Sequence, residues 1–118
     1  MSETFPHNPL RFEAGSLSPD EQLELYGKLL LPRMIEEKMM SQLRQGKISK
    51  WFSGMGQEAI SVGVAAAMPA DKFIFPMHRN LGIFTTRNVP LDRLFAQFQG
   101  KDHGFTKGRD RSFHFGSP

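Results

Sequence analysis

Only one stretch of this 118-residue chain reads as a β-strand. Phe73-Ile74-Phe75 is a short apolar run between Asp71 and Pro76, the pattern of a buried, parallel-type strand near residues 72–76. The segments around it carry helical periodicity, and one strand flanked by apolar helix faces cannot complete a sheet. The expectation is the opening portion of a larger α/β domain. Its sheet would be finished by downstream sequence or by another subunit, with the chain stopping inside a loop.

The helices have clear boundaries. Ser18-Pro19-Asp20-Glu21 combines an N-cap, a proline at the first helical position and a glutamate placed to close a capping box. Leu23, Tyr26, Leu30, Met34, Ile35, Met39 and Leu43 then form one apolar stripe, with Glu36 and Glu37 opposite and able to pair with Arg33 or Arg44. Pro32 falls inside this pattern and should kink the helix, which spans about 19–45 and stops at Gly46. A second helix begins near Gly56, carries Ala59, Ile60, Val62 and Val64 to Ala67, and ends at Pro69-Ala70-Asp71. A helix pair follows at 79–87 and 90–99, stopped by Gly100, and the last eighteen residues read as a loop. Residues 1–17 lack periodicity and form an N-terminal arm; residues 18–118 form the incomplete domain.

Composition narrows the function classes. No cysteine excludes a disulfide framework, a thiolate metal site and a cysteine nucleophile. No apolar run approaches the ~20 residues of a membrane span, and the opening MSETFPHNPLRFEAG has neither a signal-peptide nor a transit-peptide pattern. A soluble, cytoplasmic chain with no membrane partner is expected. From Lys72 onward eight basic residues face three acids, spread through loop-rich sequence rather than in a dense stripe. That distribution suits small anionic ligands and argues against nucleic acid.

Three clusters could carry chemistry. His78-Arg79 follows the strand at the mouth of the next helix, where ligands gather in α/β sheets. An arginine there can hold two phosphate oxygens in a fork while the histidine adds a donor. Alternatively Arg79 pairs with a carboxylate and His78 fills a crevice. Gly56-Gln57-Glu58 opens a helix, where a first-turn glutamate is favoured by the dipole whatever its role, so capping or packing is expected rather than catalysis. Lys107, Arg109, Arg111 and His114 lie close together in the tail, suiting either an anionic substrate or a solvated connection. The histidines show no metal-ligand spacing, so no metal site is expected in this chain.

The succession IEEKMMSQLRQGKI, GMGQEAISVGVAAAM, DKFIFPMHRNLG, VPLDRLFAQFQGK and KGRDRSFHFGSP resembles, in order and spacing, the N-terminal part of one family. That family is the alpha subunit of thiamine-diphosphate-dependent 2-oxo acid dehydrogenases, the decarboxylating component of the pyruvate, branched-chain and acetoin complexes. The resemblance runs from about Leu23 to Pro118. It implies a thiamine diphosphate fold with a parallel sheet, in a heterotetramer with a beta subunit or a dimer with the beta half fused. The cofactor would sit between subunits with its diphosphate on this side. The family's Tyr-Arg pair on that diphosphate is matched by His78-Arg79, with histidine replacing tyrosine. Met77 stands where some relatives carry a glutamine near the cofactor.

His114 matches the histidine closing the family's Lys-Gly-(Arg/Lys) loop near the substrate entrance, which implies a catalytic role there. Lys107 and Arg109 would be charges of that substrate loop. Magnesium is implied too, through Gly-Asp-Gly and Asn-Asn motifs expected downstream of this chain. The implied reaction is oxidative decarboxylation of a 2-oxo acid with acyl transfer to the lipoyl arm of an acyltransferase component. Thiamine supplies the carbanion chemistry and the protein supplies orientation and electrostatics. QGKIS and KGRDRSFHFGS lean towards the branched-chain class over pyruvate. On this reading the fragment alone is inactive. The alternative is a non-catalytic, truncated remnant that docks on a beta subunit or binds an anionic partner.

Overall fold

The computed structural model describes Glu13 and residues 15–116, so most of the expected N-terminal arm lies outside the described residues. Among the described residues four helices follow one another: α1 (Pro19–Arg44), α2 (Glu58–Ala67), α3 (Leu81–Thr86) and α4 (Leu91–Phe98). The capping box at the head of α1 forms as expected: the Ser18 hydroxyl accepts from the Glu21 N–H, and the Ser18 N–H donates to the Glu21 carboxyl. Three helices end in the same way. Beyond α1, α3 and α4, Gly46, Asn88 and Gly100 take φ of 69°, 56° and 66°. Their N–H groups, and those of the next residues, return to Leu43 and Gln42, Thr85 and Phe84, Gln97 and Ala96. This left-handed closure satisfies carbonyls that a helix end leaves bare.

The expected strand is not formed. Among the described residues there is no strand, and the fold seen is mostly helical. Residues 73–77 take no regular structure, and Phe73 and Phe75 are 86% and 92% exposed rather than buried. A ladder needs a neighbour to accept its hydrogen bonds, and no described segment supplies one.

The stripe on α1 also divides differently from the sequence expectation. Ile35 and Met39 are buried, but their companions are Pro32, Glu36 and Gln42, while Leu23, Tyr26, Leu30 and Met34 face solvent. The helix continues through Pro32, which is buried. Neither glutamate opposite the stripe takes Arg33. Its Nε donates instead to Glu58 Oε1 at 2.6 Å, tying α1 to α2, and Glu58 Oε2 accepts from the Gly56 N–H at 2.9 Å. Arg33 is the main cause that holds the Glu58 carboxyl below its ordinary range. The stabilisation from this pair is therefore present at neutral pH and lost as pH falls through that lowered value.

Small residues bring α2 and α3 close together: a Cβ on Gly82 would lie 2.9 Å from Ser61 Cβ and Val62 Cγ2. The core gathers Ile35, Met39, Ile48, Leu81, Phe84, Val89, Leu94, Phe98 and Phe113. Two buried polar side chains hold irregular segments against it. Glu36, on α1, accepts from Trp51 Nε1 at 2.7 Å and from the Gly54 N–H at 2.9 Å. Gln97, on α4, is 0% exposed. Its amide nitrogen donates to the Asp110 and Ser112 carbonyls, and its oxygen accepts from the Thr106 N–H and hydroxyl. The tail is thus irregular, as expected, but it is pinned rather than loosely solvated. Phe105, Phe113 and Phe115 add to this, with Phe84 stacked on Phe113 and Phe105 on Phe115.

Two substitutions test this packing. A Cβ at Gly54 would stand 2.1 Å from the Arg79 carbonyl oxygen, so backbone must move. Gly54→Ala should cost about 1–3 kcal/mol, read from the urea midpoint of the assembled protein. A midpoint equal to wild type contradicts that close approach. Gln97→Ala strips partners from Thr106, Asp110 and Ser112 together and should cost about 2–4 kcal/mol. It should also speed proteolysis within 101–114, and unchanged cleavage there would show that the amide does not hold the tail.

Candidate functional site

The pinned segments enclose a cleft of about 470 Å³. Ile48, Trp51, Phe98 and Phe113 give it an apolar floor, and residues 108–114 close one side. The Trp51 ring lies edge-on to Phe98 and Phe113, at centroid distances of 4.8 and 6.0 Å. Lys50, Arg109 and Arg111 line the same cleft with His78 and His114, and Asp110 is its acidic group. A cationic rim over an aromatic floor suits a small molecule with an anionic end and an apolar end.

Two of the clusters expected from sequence therefore meet. His78 comes from the turn before α3, and Arg109 and His114 come from the tail. His78 packs edge-on against Phe52, with centroids 4.9 Å apart. Lys50 Nζ lies 4.6 Å from the centre of the same ring. Arg79 stands outside the cleft's lining, in the turn ahead of α3 rather than in the helix, and it is exposed. Its Nη1 donates to the Ser53 carbonyl at 2.7 Å, so it takes a backbone oxygen where a carboxylate partner was the alternative. Met77 is exposed and outside the cleft, with its N–H held by Asn80 Oδ1. Lys107 is also outside it, in the left-handed region with φ 51° at the turn into Gly108.

His114 has a partner that the sequence expectation did not supply: its Nδ1 lies 3.0 Å from Asp110 Oδ2. The Ser112 N–H, and after it His114, hold the Asp110 carboxyl below its ordinary range. His114 also lines a second, larger groove of about 910 Å³ formed with residues 70–76, Phe84 and Phe115.

The sequence does not mark Glu36, Trp51, Gln97 or Asp110 as site residues. Glu36 and Gln97 had a faint signal, each a polar residue beside apolar ones that it joins in the core, namely Ile35 and Phe98. Asp110 and His114 are four apart, but a spacing of four means contact only where local structure folds it so. Among the described residues no group of three or more His, Asp or Glu side chains could hold a metal ion. Among the same described residues no helix is long and apolar enough to cross a membrane.

Comparison with known proteins extends these observations. A family model described as "Dehydrogenase E1 component" matches residues 26–117. The chain is 31% identical over 102 residues to the mitochondrial 2-oxoisovalerate dehydrogenase subunit alpha of Dictyostelium discoideum, covering 86% of this chain and 23% of the relative. It is 31% identical over 104 residues to the human protein of that name, covering 88% and 23%. It is 31% identical over 114 residues to subunit alpha 1 of Arabidopsis thaliana, covering 89% and 24%. The chain thus spans about a quarter of the length of these curated relatives. No solved structure matches it. The relatives are named as mitochondrial subunits, which overturns the expected cytoplasmic location. That expectation rested on the lack of a targeting pattern in the opening residues, and the chemistry of a folded domain does not encode its compartment. With the family model spanning most of its length, this chain belongs to the dehydrogenase E1 component family, on the side of the alpha subunit of thiamine-diphosphate-dependent 2-oxo acid dehydrogenases.

Proposed function

We propose that this chain forms the N-terminal portion, residues 18–118, of the alpha half of a mitochondrial 2-oxo acid dehydrogenase. In this reading it works with a beta subunit and a lipoyl-bearing acyltransferase. A branched-chain 2-oxo acid is the favoured substrate, since the relatives are named for 2-oxoisovalerate. The parallel sheet of a thiamine diphosphate fold would be completed by chain beyond these residues. Bound thiamine diphosphate supplies the carbanion chemistry of decarboxylation.

The observation that carries the proposal is the setting of Arg79 and His78. One corner of the Arg79 guanidinium is anchored on the Ser53 carbonyl while the side chain stays exposed. The backbone behind it is tight enough that Gly54 tolerates no Cβ. A held guanidinium with N–H groups still open is suited to a diphosphate. His78, beside it in sequence, adds a ring nitrogen and reaches the cleft. Met77 contributes apolar surface but no polar side-chain atom, so a glutamine-like role is not assigned to it. No described carboxylate cluster fits magnesium, and its ligands would come from elsewhere in the whole protein.

The cleft divides the labour on the substrate. Its aromatic floor takes the branched apolar end, and the cationic rim takes the carboxylate. His114, at the rim, hydrogen-bonds to the group where charge develops. Lys107 and Arg109 bias the loop and the local field towards an anion.

Calorimetry and single-turnover decarboxylation on the assembled protein test this together. Arg79→Ala should weaken thiamine diphosphate binding by about 2–4 kcal/mol, and Arg79→Lys should recover only part of it. His114→Ala should leave cofactor affinity intact and lower turnover of 2-oxoisovalerate by roughly 10²–10³-fold. Unchanged cofactor affinity in Arg79→Ala would sink the cofactor assignment. Wild-type rates per loaded site in His114→Ala would retire the histidine.

A further inference from the structure

Asp110 is fixed at four points. Its N–H donates to the Thr106 hydroxyl at 3.0 Å, and its carbonyl accepts from Gln97 Nε2 at 2.9 Å. Its Oδ1 accepts from the Ser112 N–H at 2.7 Å, and its Oδ2 meets His114 Nδ1 at 3.0 Å. Gln97, which holds this backbone, is fully buried. The carboxyl is therefore presented in one orientation, with one oxygen spent on the loop and the other left for the imidazole.

We infer that Asp110 is the positioning residue for His114: it fixes the ring and its tautomer, so that Nδ1 carries a proton and Nε2 is the nitrogen offered to the substrate. The inference rests on the placement of His114 at the substrate proposed above. An ionised carboxylate can only accept, so the nitrogen facing it must be the N–H. That leaves Nε2 to hold or hand over a proton at the cleft. A free imidazole would divide its neutral form between two tautomers and sample several rotamers, since this side chain is 72% exposed. Orienting a histidine through its far nitrogen is a general device of imidazole catalysis.

Asp110→Asn separates positioning from folding. The amide oxygen can keep the Ser112 N–H, which turns the NH₂ towards His114. The neutral ring must then accept at Nδ1 and place its proton on Nε2. In the assembled protein, turnover per cofactor-loaded site should fall about 10–100-fold. That is less than the roughly 10⁴-fold loss for a buried triad carboxylate, because this pair is open to water. KM, thiamine diphosphate affinity and Tm should stay near wild type. In a His114→Ala background the same substitution should cost almost nothing further, because it acts through the ring.

Full turnover per loaded site in Asp110→Asn, with or without a lowered Tm, overturns the inference, and so does an equal loss with and without His114. If His114→Ala itself turns over normally, the substrate-site reading falls and this inference with it. If His114→Ala is impaired and Asp110→Asn is not, the positioning role alone fails.

Discussion

The buried carboxyl of Glu36 holds the site together. It sits on α1 among core residues, and each of its oxygens takes one donor from the segment that follows the helix, Trp51 Nε1 and the Gly54 N–H. A side chain buried this deeply must be hydrogen-bonded, and here both bonds reach the same four-residue loop. Fixing residues 51–54 has three consequences. The Ser53 carbonyl lies within reach of Arg79, Phe52 meets the ring of His78, and Trp51 joins Phe98 and Phe113 under the cleft. Arg79 and His78, the proposed diphosphate contacts, thus take their places from a helix far from them in sequence.

Gln97 does for the tail what Glu36 does for the loop after α1. All of its amide valences are used, two as donor and two as acceptor, so the tail can take only the path that meets them. Apolar packing would bury Phe113 without choosing where Asp110 and His114 stand. The buried amide adds that choice. Rings of Phe84, Phe98, Phe113 and Trp51 then join the two polar anchors into one body, which is why residues from the loop, the turn before α3 and the tail converge.

Local chemistry could be read directly from residue order. Ser18-Pro19 begins α1, and Gly46 and Gly100 close their helices, because capping depends on residues within a few positions. The family could be read too, from the order and spacing of several stretches. What failed depends on partners distant in sequence or absent from the described residues. Phe73-Ile74-Phe75 has the composition of a buried strand, but the pairing that makes a strand is not in the residues themselves. Leu23, Tyr26 and Met34 repeat at helical spacing, yet α1 is apolar on more than one side and periodicity does not say which side finds a neighbour. Arg33 has nearby glutamates in sequence and takes Glu58 instead, since α2 lies against that face of α1. Glu36 and Gln97 look like ordinary polar residues until the folded chain shows that each faces a loop in need of partners.

Through the Trp51–Gly54 loop, Glu36 sets the guanidinium of Arg79 that is proposed to meet the diphosphate. A double-mutant cycle on thiamine diphosphate affinity, combining Glu36→Gln with Arg79→Ala in the assembled protein, tests this most directly. An amide at position 36 cannot accept from both donors in the native arrangement, so the loop loosens and Arg79 loses its anchor. The cost of Arg79→Ala should then shrink by at least about 1 kcal/mol in the Glu36→Gln background. Costs that add to within about 0.5 kcal/mol would show that the two residues act independently, and would contradict the coupling of core to site.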